Sequence, residues 1–145
     1  MPRRLFLVLA VALALPLAGC MGLGSGKQPQ NAKGDETPEE CKDFQVREGD
    51  FMWAYNGKAK ESNAATQPWY TASREVVVET CPFIDWGKVT VTLRDATGNH
   101  VFNQTFNRAS EEQSFQVQGN PGGWLVDLRW EGYTGHMSVH IYPKV

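Results

Sequence analysis

The strongest constraint on this chain is a pair of stretches that alternate with a period of two. In residues 88–94 (KVTVTLR), Val89, Val91 and Leu93 fall on one face, and Thr90 and Thr92 on the other. In residues 124–130 (WLVDLRW), Trp124, Val126, Leu128 and Trp130 share a face, with Asp127 and Arg129 opposite. Successive side chains of a strand point to opposite sides of the sheet, so each stretch reads as a strand with one buried face. No window keeps a 3.6-residue period between capping residues, so nothing in the pattern argues for a helix.

The rest of the chain follows the same rule. Phe51, Trp53 and Tyr55 alternate, Val76, Val77 and Val78 form an apolar run between acids, and Phe102 and Phe106 mark a strand returning from the turn at residues 95–99 (DATGN). Phe115 and Val117 give a short strand, and residues 119–123 (GNPGG) break it, because Pro121 fixes φ and glycine admits positive φ. Residues 131–135 (EGYTG) read as another turn, followed by a last strand with Met137, Val139 and Ile141 inward. About seven strands in roughly 105 residues point to an all-β domain: a single antiparallel β-sandwich over residues 41–145, jelly-roll-like or immunoglobulin-like.

The stretch from Val89 to Tyr142 resembles small secreted β-sandwich or jelly-roll modules, in particular the accessory domains at the C-terminal ends of bacterial secreted peptidases. The shared features are the Val-Thr-Val-Thr-Leu-Arg-Asp strand before a Gly turn, the Gly-Gly-Trp entry at Trp124 and a final Val-x-Ile strand. The resemblance implies architecture and carries no activity with it.

The first residues are an address. Arg3 and Arg4 precede an unbroken apolar run from Leu5 to Leu15, which is too short for a bilayer span of about 20 residues and has the length of a signal-peptide core. Leu17-Ala18-Gly19-Cys20 follows. These four residues resemble the lipobox of prokaryotic lipoproteins, which implies removal of residues 1–19 and acylation of Cys20. Each buried methylene contributes about 0.8 kcal/mol, so two or three chains hold a protein on a membrane without a transmembrane helix. Met21, and not Asp, follows the cysteine, which by the same resemblance implies the outer membrane in a Gram-negative cell and otherwise the outer face of the cell membrane. The Arg3-Arg4-Leu5-Phe6-Leu7 start is also similar to the twin-arginine export motif, although so apolar a core favours the general secretory route. Residues 20–40, rich in Gly, Pro, Gln and charge, read as the lipidated cysteine and a flexible tether.

Charge narrows the partners. The whole chain carries 14 basic and 16 acidic residues. Loss of residues 1–19 removes two arginines and no acid, so a mildly acidic body remains. It offers no basic surface to displace phosphate counterions, which argues against nucleic acid. The expected partners are a membrane, through the acyl chains, and an envelope protein or glycan.

With Cys20 assigned to lipid, Cys41 and Cys81 form an even pair outside the cytoplasm and are expected to be a disulfide. No cofactor or metal is expected. His136 and His140 lie on one strand face about 13 Å apart, too far to share an ion, and with Ser138 and Tyr142 they read as a polar, solvated face. No serine sits in a Gly-x-Ser-x-Gly turn, Cys81 lacks an apparent base, and no carboxylate pair stands out, so catalysis is not expected. Trp53, Trp124 and Trp130 fit the core. Trp69, Tyr70 and Trp86 sit near Pro and Gly, in expected loops or strand ends. Exposed there, they would stack on sugar rings or anchor a protein; buried, they would plug the end of the sandwich. The chain thus reads as a lipid-anchored, non-catalytic interaction or structural module, with a carbohydrate-binding lipoprotein using Trp69, Tyr70 and Trp86 as the alternative.

Overall fold

Residues 37–145 are described by the computed structural model; the expected signal segment, Cys20 and the expected tether as far as residue 36 lie outside the described residues. Five strands form one antiparallel sheet: β1 (Phe51–Thr71), β2 (Glu75–Arg94), β3 (His100–Phe106), β4 (Gln113–Gln118) and β5 (Gly122–Pro143). Their order is β1-β5-β2-β3, with β4 also paired to β2. The all-β antiparallel expectation holds, and the count of about seven strands is corrected to five. The reason is the length of β1, β2 and β5, at 21, 20 and 22 residues. The valine run at residues 76–78 and the alternating run at 88–94 are two ends of β2. The runs at 124–130 and 137–141 are two ends of β5. The second end of β1, residues 63–71, escaped the pattern because Asn63 and Gln67 stand beside Ala65 and Trp69 on one face.

All three long strands bend at the same level. Pairing slips between Gly57 and Asn63 in β1 and between Ile84 and Lys88 in β2, both against residues 130–135 of β5. The EGYTG segment, expected to turn the chain back, instead carries β5 through the bend. Gly135 takes φ 130° and Gly87 φ 75°, and a Cβ on either would collide with a neighbouring backbone carbonyl. Positive-φ glycine serves β-bulges as well as turns, so composition alone did not separate the two.

The bend divides the sheet into two halves. In one, residues 51–57, 135–143, 75–84 and 113–118 lie in the order β1-β5-β2-β4. In the other, residues 63–71, 122–130, 88–94 and 100–106 lie in the order β1-β5-β2-β3. Their inward faces share one core: Phe51, Val78 and Val139 from the first half, Val91, Trp124 and Leu128 from the second. Rings meet across it, Trp53 against Trp130 at 5.8 Å and Phe102 against Phe115 at 5.1 Å. The result is sandwich-like, a single sheet folded onto itself.

The halves differ outside. Residues 41–50, here called the strap, cross the outward face of the first half. The strap begins with a 3-10 turn at Glu39–Cys41 and is fastened by the Cys41–Cys81 disulfide, with Cα atoms 5.6 Å apart. This pairing was expected, and it places Cys81 in the middle of β2. Near the other end of the strap, Trp69 Nε1 donates to the Gly49 carbonyl at 2.8 Å. Among the described residues, no such segment crosses the outward face of the second half.

Candidate functional site

The strap overturns the expectation of a solvated His136–Ser138–His140–Tyr142 face. The four do share one side of β5, but His136, Ser138 and His140 are only 3%, 0% and 2% exposed. Phe44 of the strap packs on His140, ring centres 5.6 Å apart. Buried polar groups must find partners, and these do.

His140 stands between two carboxylates. Its Nε2 lies 2.9 Å from Asp50 Oδ2 and its Nδ1 3.1 Å from Glu79 Oε2. Asp50 comes from the end of the strap and also accepts the Arg47 backbone N–H at 2.8 Å. Glu79 comes from β2 and accepts the Tyr142 hydroxyl at 2.9 Å. Burial, and then the Glu79 hydrogen bond, raises the Tyr142 phenol above its ordinary value. Beside the cluster opens a cleft of about 260 Å³, walled by Asp43, Gln45 and Arg47 of the strap.

This arrangement fastens the strap to the sheet. A general base needs a ring nitrogen free to take a proton, and both nitrogens of His140 face carboxylate oxygens. The Tyr142 hydroxyl is committed to Glu79, and its raised pKa makes it a poor nucleophile. His140 therefore joins strap, β2 and β5 by charge-assisted hydrogen bonds.

A second group has the formal order of a nucleophilic triad. His136 Nε2 contacts the Ser138 hydroxyl, and His136 Nδ1 lies 2.6 Å from Asn56 Oδ1. Burial pulls the His136 pKa from 6.5 to about 4, so the ring is neutral at neutral pH. The tautomer that satisfies both neighbours donates from Nδ1 and accepts at Nε2. The geometry thus matches a Ser–His–Asn relay. Ser138 has no exposed surface, however, and its strand neighbour Cys81 is tied to the strap. No substrate carbonyl can approach it.

The aromatic residues singled out from the sequence are not assembled. Trp69 lies within β1 and is 3% exposed; its ring meets Trp124 edge-on at 6.1 Å. Of the two places expected for Trp69, exposed for stacking or buried as a plug, it takes the buried one, in the core under Gly49. Tyr70, next in the strand, points outward and is 72% exposed. Trp86 is 56% exposed, within β2 at the bend. Tyr70 sits opposite Gly123 and Trp86 opposite Thr134 of β5, about 35 Å apart along that strand. The Trp86 ring already holds the Lys60 ammonium at 4.2 Å, a cation–π contact. The three do not form one platform.

A different surface lies at the bend. β4 pairs with β2 as far as Thr80, and β3 begins pairing at Val89. Among the described residues, no strand covers that edge of β2 between them. The β3–β4 loop, residues 107–112, arches past the gap and is closed on itself: Asn107 and Ser110 exchange two hydrogen bonds of 2.9 and 3.0 Å. Between loop and edge lies a groove of about 490 Å³. Sequence reading missed it, because an uncovered edge is a property of pairing and leaves no local residue pattern.

Comparison with protein-family models, with curated proteins and with solved structures finds no match. The reading of function rests on the chain's own residues and geometry. Among the described residues, no group of three or more His, Cys, Asp and Glu side chains is arranged to hold a metal ion.

Proposed function

We propose that this chain is an exported interaction module without catalytic chemistry, held on a membrane by acyl chains on Cys20 and presenting the folded sheet to a protein partner in the cell envelope. The observation that carries the reading is the Cys41–Cys81 disulfide. It belongs in an oxidising compartment. It also fastens the chain to the sheet at the point where the segment following Cys20 enters the fold. A pull between anchor and partner then passes through a covalent bond, with the His140 cluster behind it. The two histidine clusters support a fastening role, since one has no free ring nitrogen and the other no access. A protein partner is favoured over a glycan because sugar stacking needs an exposed aromatic platform, and Trp69, Tyr70 and Trp86 do not make one.

The test is mass spectrometry of the N-terminal peptide together with fractionation. The wild-type chain is expected to carry diacylglycerol on Cys20 and to sediment with membranes. Cys20→Ala is expected to leave the membrane fraction with the Cys41–Cys81 disulfide intact. An unmodified Cys20 in a soluble wild-type chain would sink the anchoring half of the proposal. Turnover of an envelope substrate by the wild-type chain would sink the non-catalytic half.

A further inference from the structure

The groove at the bend has the features of a peptide site. Its floor includes Pro82 and Phe83, and Phe83 is 43% exposed although it is a large apolar side chain. Its rim is acidic: Asp85 on β2, Glu111 and Glu112 on the β3–β4 loop and Glu40 just before the strap, against one cation among the described residues, Arg108. One long side is the β2 edge that neither β3 nor β4 covers, which begins after Thr80 and ends before Val89. An uncovered edge offers main-chain groups to another extended chain, here a carbonyl but no N–H at Pro82, and β-strand addition uses such an edge for affinity and the adjoining pockets for specificity.

Resting on the reading of the chain as a protein-binding module, we propose that this groove captures a short extended segment of a partner protein in which basic and apolar residues alternate. The segment lies along the uncovered edge of β2. An apolar side chain packs on Phe83, while lysine or arginine side chains reach Asp85, Glu111 and Glu112. Alternation is required because successive side chains of an added strand point to opposite sides. The charge complementarity fixes the sign of the partner and speeds its approach, so binding weakens as salt rises. The bend limits the site to a few residues, which makes the interaction weak for one peptide and stronger for a partner held on the same membrane, where the effective concentration is raised.

The experiment uses the full chain, exported and purified with its disulfide intact, and three end-blocked hexapeptides. The first is Lys-Val-Lys-Phe-Lys-Val, the second has Glu in place of Lys, and the third is the first with alternate backbone nitrogens methylated. Titration calorimetry at low salt is expected to give saturable binding of the first peptide below about 1 mM, and none of the other two. Phe83→Ala and the pair Glu111→Lys with Glu112→Lys are each expected to weaken that binding by about tenfold. These positions are exposed, and an unchanged melting temperature verifies that the variants fold. No binding of the lysine peptide, or equal binding by wild type and both variants, overturns the proposal. Sedimentation giving a dimer that the same substitutions dissociate also overturns it, in favour of a second copy as occupant. The outcomes are separable from the anchoring test: a lipidated chain that ignores the lysine peptide loses the groove and keeps the anchored module, whereas a soluble chain that binds it loses the anchor alone.

Discussion

The two halves of the sheet obey the same alternation and end with opposite surfaces. In the half made with β3, outward residues behave as the pattern implies. Thr66, Arg94 and Asp127 meet at the surface, with Arg94 giving Asp127 two hydrogen bonds of 2.9 and 3.0 Å and Thr66 a third of 2.6 Å. In the half made with β4, His136, Ser138, His140 and Cys81 also point outward, yet these four are buried. At His140 and Cys81 the cover is supplied by residues 41–50, through Phe44, Asp50 and Cys41. A polar face is a statement about what a side chain needs, and its exposure depends on what another segment lays over it. The strapped face meets that need with two buried clusters, and the other face with a partly exposed one at Arg94, Asp127 and Thr66.

Removing the disulfide is the harshest way to break this contrast. It closes a separation of 40 residues, for which the chain-entropy model gives about 4 kcal/mol. The double variant Cys41→Ala, Cys81→Ala is expected to lose stability of that order in denaturant melts. Hydrogen exchange should speed up over residues 41–50 and over β5 residues 136–140, and remain slow at residues 124–130. Uniform loosening of both halves would mean that the strap stabilises the whole sheet and not one face.

Next in size is the histidine that joins strap to sheet. His140→Ala leaves Asp50 and Glu79 facing each other across a vacated site, and removal of one partner from a buried charged cluster costs about 3 kcal/mol. Chemical denaturation of the oxidised chain measures it, and a loss below that of an exposed ion pair would show the cluster to be dispensable.

The pH dependence separates the halves with a gentler hand. His136 meets Asn56 and Ser138 and stands opposite Phe83 on β2. Burial depresses its pKa from 6.5 to about 4, so between those values the unfolded chain binds a proton that the folded chain refuses. Stability from this residue is therefore complete above about 6.5 and declines as the pH falls towards 4. In the open half Asp127 acts lower: burial opposes its ionisation, but the hydrogen bonds and charge of Arg94 and the Thr66 hydrogen bond prevail and hold its pKa below the usual 3.8. Its contribution is present above the ordinary carboxylate range and is lost only in stronger acid. His136→Gln is expected to flatten the melting temperature between pH 6.5 and 4 while leaving the more acidic limb unchanged.

How much of this was legible follows the same division. The hairpin of β2 and β3 could be read because Val89 and Leu93 stand opposite Phe106 and Phe102, an apolar match visible in the residues themselves. The inward role of Trp53, Trp124 and Trp130 was legible for the same reason. The parity of His136 and His140 was legible, but their burial was not, because Asp50 and Glu79 lie 90 and 61 residues from His140 in sequence. The sequence does not decide between an exposed and a buried Trp69, since Pro68 stands beside it and the contact that holds it is with the backbone of Gly49. The groove at Phe83 left no signal, as it depends on where β4 stops and β3 starts.

The smallest expected effect lies on the open face and tests the contrast from the other side. Asp127 is held by Arg94 and Thr66, but its side chain and that of Arg94 are 29% and 33% exposed. Water can take over the hydrogen bonds that either loses. Asp127→Ala is therefore expected to cost about 1 kcal/mol or less, with the loss shrinking further as salt screens the pair. The same salt series applied to His140→Ala should change its larger cost little, because the strap keeps ions from the Asp50–His140 contact. Equal salt sensitivity at both sites would mean that the strap opens often enough to admit ions, and that the two faces differ in average cover but not in the environment their charges feel.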